Sequence, residues 1–208
     1  MSCPYFISIP LWGNGDNLNA KQAILQKIKD GTFALLSGEQ IAKKLRLSKK
    51  EKAGLYAMLD DLYREGELLR DSSFRYGTKQ QFCALEGTIS LNERGFGFFI
   101  PDDKKHSDLF IPHRALSGAM HTDRVLAVRT GGRMGDEGEI LAVLERGIKE
   151  TVGVFKGTGR FGSLTPDDKR FSEAVFIPAG KTKGCKSGMK AVARITDYGG
   201  RGLSGEII

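Results

Sequence analysis

The stretch "RGFGFFIPDD", Arg94 to Asp103, decides how the rest of the chain is read. A strand sends successive side chains to opposite faces, so Phe96 and Phe98 share one face while Gly97 and Phe99 share the other. The next apolar run, "DLFIP" from Asp108 to Pro112, alternates in the same way. It puts Leu109 and Ile111 on one side and Phe110 on the other. A small barrel has one interior. With Phe99, Leu109 and Ile111 filling it, Phe96, Phe98 and Phe110 stand outside in water. Three exposed phenylalanines on neighbouring strands are poor core design and a good stacking platform for unpaired bases. Arg94, Lys104, Lys105 and Arg114 flank them and suit phosphate contacts. Gly95 and Gly97 read as points where a flat base comes close to the backbone.

The same stretch recurs as "GRFGSLTPDD", Gly159 to Asp168, with Phe161 falling on Phe96 at an offset of 65. "AVFIP" (Ala174 to Pro178) falls on "DLFIP", and "KAVARI" (Lys190 to Ile195) on "RVLAVR" (Arg124 to Arg129), both at 66. "GEII" (Gly205 to Ile208) falls on "GEIL" (Gly138 to Leu141) at 67. Matched strands in constant order and near-constant offset describe two copies of one small β domain. The second copy keeps Phe161 and Phe176 but has Ser163 where the first has Phe98. Lys156, Arg160, Lys169 and Arg170 surround this thinner platform, which is expected to grip less tightly. "PDD" in both copies reads as turn chemistry. No acid, base or metal partner accompanies Asp102 and Asp103, so a catalytic carboxylate pair is not read there. Gly157, Gly159 and Gly162 spell GxGxxG, but "SLTPDDKR" follows, a strand end and a turn. A dinucleotide site needs a helix at that point.

Ahead of the repeat the pattern is helical. Ile24, Leu25 and Ile28 form one stripe, closed by Asp30-Gly31. "SGEQ" (Ser37 to Gln40) and "SKKE" (Ser48 to Glu51) are capping boxes that open a short and a longer helix. On the longer one Leu55, Met58, Leu59 and Leu62 face a core, and Gly66 ends it. "ELLRDSSFRYG" then reads as a hairpin around Asp71-Ser72-Ser73. Helices followed by a hairpin resemble a winged helix. Lys43, Lys44, Arg46, Lys49, Lys50 and Lys52 cluster where the second helix meets the third, the place from which helix-turn-helix proteins contact nucleic acid. Asp60, Asp61 and Glu65 on the same helix oppose a duplex.

The 208 residues carry a net charge of +7, which favours polyanionic partners. Three cysteines (Cys3, Cys83, Cys185) and three histidines (His106, His113, His121) make no CxxC or HExxH, so no zinc site or disulfide framework is read. "MSCPYFISIPLW" lacks a basic n-region and is too short to span a bilayer. The expectation is a multi-domain chain: an unassigned tail over 1–18, an α+β winged-helix-like block over 19–80, and two all-β OB-fold, cold-shock-like five-stranded barrels over 84–147 and 150–208.

"GFGFF" with "DLFIP" resembles the paired RNA-binding motifs of cold-shock domains, a subclass of OB folds. Together with "AMHTDRVLAVR" (Ala119 to Arg129) and "GEILAVLERG" (Gly138 to Gly147), the order is similar to the N-terminal part of the ribonuclease R family, 3′→5′ exoribonucleases of the RNase II superfamily. The resemblance covers about residues 19–208. It implies a bacterial binder of single-stranded RNA, or of structured RNA with a 3′ tail, that feeds strands to a catalytic domain; the few scattered cysteines read as reduced thiols of a cytoplasmic protein, and of the oligomeric states, left open, a monomer is favoured. It also implies that Mg²⁺ belongs to that domain, whose aspartate cluster has no counterpart here, so this chain alone is expected to be inactive. The rival readings are a stand-alone RNA chaperone and a winged-helix DNA-binding regulator.

Overall fold

In a computed structural model of the chain both capping boxes are formed. Ser37 Oγ accepts from Gln40 N at 3.3 Å while Gln40 Oε1 accepts from Ser37 N at 2.8 Å. Glu51 Oε2 likewise accepts from Ser48 N at 2.8 Å. These reciprocal bonds satisfy backbone donors that a helix start leaves orphaned. They open α2 (Gly38–Lys44) and α3 (Lys49–Arg64), which follow α1 (Asn17–Lys29) and a short strand, β1 (Leu36–Ser37). The structure describes residues 17–131, 135–158, 160–171, 173–199 and 202–208, so nearly all of the N-terminal tail and Gly159 of the GxGxxG triplet lie outside it. The described chain forms two units that divide between Ala84 and Leu85.

In the first unit the stripe Leu55, Met58, Leu59 and Leu62 is buried against Ile24 and Ile28 of α1 and Ile41 of α2. Strands β2 (Leu69–Arg70) and β3 (Arg75–Gly77) form the hairpin, and β3 also pairs with β1 through Leu36 and Tyr76. The three-stranded sheet has the order β1-β3-β2. β1 has no counterpart in the sequence reading, because two residues carry no period.

The second unit holds the repeat. Strands β4 (Leu85–Leu91), β5 (Gly97–Pro101), β6 (Leu109–Ile111), β7 (Arg124–Arg129) and β8 (Gly138–Glu145) form a sheet of order β6-β5-β4-β7-β8. Its two edges meet at a single parallel bridge between Phe110 and Glu137. Strands β9 (Glu150–Gly157), β10 (Gly162–Pro166), β11 (Val175–Ile177), β12 (Lys190–Asp197) and β13 (Ser204–Ile207) form a closed barrel. The parallel pairing of Phe176 with Ser204 closes it, at the position equivalent to the bridge in the first copy. Phe99, Leu109 and Ile111 fill the first interior with Ile89 and Ile140; Phe155, Leu164, Val175 and Ile177 fill the second. Gly87 and Gly153 occupy equivalent places on β4 and β9. A Cβ there would lie 2.2 Å from Ile100 O or 2.1 Å from Thr165 O, so the crossing strands need glycine in both copies.

A buried carboxylate stands where the two copies join. Asp123, fully inaccessible, accepts from Met120 N (2.8 Å), Gly147 N (2.9 Å) and Arg146 Nη1 (2.7 Å). The Arg146 guanidinium also lies 4.5 Å over the Tyr198 ring of the second copy. Beside it His121 Nδ1 accepts from Leu91 N, and its Nε2 lies 2.6 Å from Arg170 Nη1. Among the described residues no helix is long and apolar enough to cross a membrane.

Candidate nucleic-acid interface

The pleat of β5 and β6 brings three rings together. Phe98 and Phe110 face each other across the two strands, and Phe99 pairs with Leu109 on the inward side. The centroids of Phe96, Phe98 and Phe110 are 5.4–5.9 Å apart, with the planes tilted or edge-on. Such spacing and tilt are favourable between aromatic quadrupoles. The cluster stays open to solvent: Phe98 is 44% exposed, and Phe96 and Phe110 are half-buried against it and each other. The barrel interior is already filled by Phe99, Leu109 and Ile111, so the three rings have no apolar volume to enter.

Arg94, Lys104, Lys105 and Arg114 are all exposed, Arg94 in the turn before β5, the lysines in the β5–β6 loop and Arg114 in a short 3₁₀ turn after β6. Asp103 Oδ1 accepts from Lys105 N at 3.0 Å and Asp168 Oδ1 from Arg170 N at 3.0 Å, so the repeated "PDD" does build turns. The two glycines also have a structural reason that the sequence did not show. Gly97 faces inward, where a Cβ would lie 2.9 Å from Ile89 and Leu91 side-chain atoms. Gly95 takes φ +85°, and a Cβ there would come within 3.2 Å of His113 Nδ1. Both have a reason within the fold itself, the packing behind Gly97 and the turn conformation at Gly95.

His113 was not singled out by sequence reasoning. Its Nδ1–H donates to Gly95 O at 2.9 Å, which lays the ring beside the turn that leads into Phe96. The signal was available: the antiparallel register that pairs Gly97 with Ile111 brings Gly95 opposite His113.

In the second copy Phe161 and Phe176 are 52% and 49% exposed. Ser163 stands between Lys156 on β9 and Phe176 on β11. Lys156 and Arg160 are exposed. Lys169 is exposed, whereas Arg170 is committed to Asp168. Gly157 and Gly162 pair in register on adjacent strands, and a Cβ on them would lie 2.4 Å from Phe161 O or Lys156 O and under 3 Å from the Phe155 ring, so the close strand crossing and that core ring both require glycine.

In the first unit Lys43, Lys44, Arg46, Lys49 and Lys50 are exposed around the turn from α2 to α3. Lys52 departs from the group: its Nζ donates to Glu39 Oε1 at 2.7 Å, and the Tyr56 hydroxyl binds the other Glu39 oxygen at 2.5 Å. Hydrogen bonds from Lys52 and Tyr56 lower the Glu39 pKa and hold the lysine charged but engaged. Among the described residues no group of three or more His, Cys, Asp or Glu side chains is arranged to hold a metal ion.

Two β domains with rings and cations on their outer walls define an OB-type protein of the cold-shock class. Residues 87–143 match the family described as "Ribonuclease B OB domain", and residues 164–208 match "Cold shock domain". The chain is 32% identical over 171 residues to ribonuclease R of Thermotoga maritima, covering 81% of this chain and 24% of that protein. It is 29% identical over 175 residues to ribonuclease R of Acidithiobacillus ferrooxidans, covering 81% and 39%. A solved structure of Mycoplasma genitalium RNase R in complex with ribose-methylated single-stranded RNA shares the fold at a TM-score of 0.53 and 18% identity, over 60% of this chain and 21% of that one. The chain is thus similar to ribonuclease R over about four fifths of its own length, and it spans well under half the length of these relatives.

Proposed function

We propose that this chain is the RNA-binding portion of a ribonuclease R-type 3′→5′ exoribonuclease. In this reading single-stranded RNA stacks on Phe96, Phe98 and Phe110, with Arg94, Lys104, Lys105 and Arg114 on its phosphates. Phe161 and Phe176 form a second, weaker platform with Lys156 and Arg160. The observation that carries the reading is the solvent-open cluster of three rings, 5.4–5.9 Å apart, above an interior that is already full. Every base presents a π-face, so such a surface holds unpaired strands with little regard to sequence. A duplex hides those faces.

His113 joins the first platform as an additional contact. The first unit is a winged-helix-like block, with Lys43, Lys44, Lys49 and Lys50 available to structured RNA that carries a 3′ tail. The three domains divide near residues 80–84 and 147–150. The captured strand is passed to a catalytic domain that uses Mg²⁺.

The test is a titration of a fluorescent oligouridylate with the chain and with its Phe96→Ala/Phe98→Ala/Phe110→Ala variant. Binding is expected to weaken by at least about a hundredfold, from roughly 1–3 kcal/mol for each stacked base. Unchanged binding by a folded triple variant, or tighter binding to duplex DNA than to RNA at equal salt, would refute the proposal.

A further inference from the structure

Among the described residues of the first unit the most exposed large apolar side chain is Phe74, 60% accessible, in the turn of the β2–β3 hairpin. Two features make it an odd choice there. Its φ is +57°, a conformation that hairpin turns ordinarily give to glycine or asparagine. Nor does the turn depend on the ring. The turn is held by backbone bonds, Phe74 N to Asp71 O and Asp71 N to Arg75 O, and by the Asp71 carboxylate, which is almost wholly buried. That carboxylate accepts from Ser73 N, Arg75 N and Arg75 Nε at 2.6–3.0 Å. A phenylalanine thus stands at a strained position, in water, without serving the turn.

What lies behind the ring gives it a direction. The Arg70 guanidinium is 5.2 Å from the Phe74 centroid and 4.4 Å from the Tyr63 centroid. Arg70 thus lies over both rings, and the Phe74 ring remains largely open to solvent. Asp60 holds Arg70 in place at 3.3 Å. Arg75, half-exposed, follows Phe74 directly. The tip therefore offers a flat ring with a cation behind it and, beside it, the half-exposed Arg75 guanidinium, whose Nε is held by the inward-turned Asp71 carboxylate.

We propose that Phe74 is a second kind of RNA contact, a cap that stacks on the terminal base pair of a structured RNA. The inference rests on the RNA-binding reading above. A duplex end presents one bare face, broad and aromatic, and needs one partner. The barrel platform offers three mutually tilted rings, which suit separated bases of a single strand. Phe74 offers a single open ring, because Arg70 occupies the space behind it. Apolar side chains are known to gain energy by stacking against base steps in this way, and a guanidinium adds favourable charge. Arg75 would meet the phosphate of the same end.

The experiment uses the full chain and two RNAs, a short oligouridylate and a blunt-ended hairpin with a 2-aminopurine in its terminal pair. Phe74→Ala is expected to weaken hairpin binding about tenfold, to remove the stacking-induced change in 2-aminopurine emission, and to leave oligouridylate binding unaltered. Phe74→Trp should retain both properties of the parent, and Phe74→Leu, which keeps apolar cover over Arg70 without a flat face, should behave as alanine. Because the side chain is exposed, the thermal midpoint of the variants should stay close to that of the parent, which keeps binding and folding separable. Equal hairpin affinity for parent and Phe74→Ala overturns the cap and leaves the surface to a protein partner. A loss confined to the single strand, or leucine performing like tryptophan, overturns it as well. Failure here is distinct from failure of the platform, which is read from the oligouridylate and the triple barrel variant.

Discussion

Phe98 faces Phe110 across β5 and β6, and at the equivalent place Ser163 faces Phe176 across β10 and β11. Exchanging the two residues separates stacking from charge, since neither change alters a phosphate contact. In Phe98→Ser one of three rings is lost. A stacked base contributes roughly 1–3 kcal/mol, so affinity for oligouridylate should fall about five- to 150-fold. The fold also loses two ring pairs, Phe96–Phe98 at 5.8 Å and Phe98–Phe110 at 5.9 Å. At about 0.5–1.5 kcal/mol per pair, stability drops by some 1–3 kcal/mol. In Ser163→Phe the new ring meets Phe176 directly and gains about 0.2–1 kcal/mol as a cross-strand aromatic pair. It builds the missing part of the second platform, and the double exchange should recover much of the lost affinity, because the sites lie in separate barrels and share no partner.

The assay is fluorescence anisotropy at two or more salt concentrations. The midpoint should move in Phe98→Ser while the slope of log K against log salt stays constant, since that slope counts displaced counterions. Three results would refute the reasoning: a folded Phe98→Ser that binds as the parent does, a slope that changes with the ring, or a Ser163→Phe that is well folded and gains nothing.

Lys104→Ala with Lys105→Ala should show the opposite signature, reducing the salt slope by about 1.4 if each contacts one phosphate of a single strand. Asp123→Ala removes the acceptor of two backbone donors and of the Arg146 guanidinium at a fully buried site, and urea unfolding should report a loss of about 3 kcal/mol. Burial first, and then the charge of Arg170, lower the pKa of His121 below the usual 6.5. The native state then binds fewer protons than the unfolded chain. Stability from this residue is therefore present above pH ~6.5 and lost as pH falls toward the native value; His121→Gln should flatten that decline in thermal midpoint. A pure sample with added Mg²⁺ should leave labelled RNA intact over hours, with loss of label length on a gel as the contrary result.

How much of this was legible beforehand depends on how far each residue's role is set by its near neighbours. The capping boxes at Ser37 and Ser48 were legible because both partners lie within one helical turn. The buried stripe of α3 and the inward row of Phe99, Leu109 and Ile111 follow from periods of 3.6 and 2, and the repeat needed only self-comparison. Where a partner is distant, the local pattern was silent or misleading. Lys52 looks like one more cation in a basic run until Glu39 is placed beside it. Asp123 reads as an ordinary loop acid; its partners include Arg146 and Gly147, more than twenty residues on. At Gly97 the local pattern gave no hint of the constraint from Ile89 and Leu91 behind it.

Phe98 and Phe74 differ in the same respect. Alternation exposes Phe98 as a breach of the rule that one face of a strand is apolar, so its ring is conspicuous before any coordinates exist. Phe74 breaks no period, because a turn has none. Its oddity is a backbone angle together with a guanidinium from another strand, and only the folded chain brings the two to one place. A stacking surface on a strand can thus be read from sequence as a violated pattern. One on a turn cannot, and for that reason the Phe74 variants are the sharper trial of whether reading rings in water as nucleobase contacts holds for this chain.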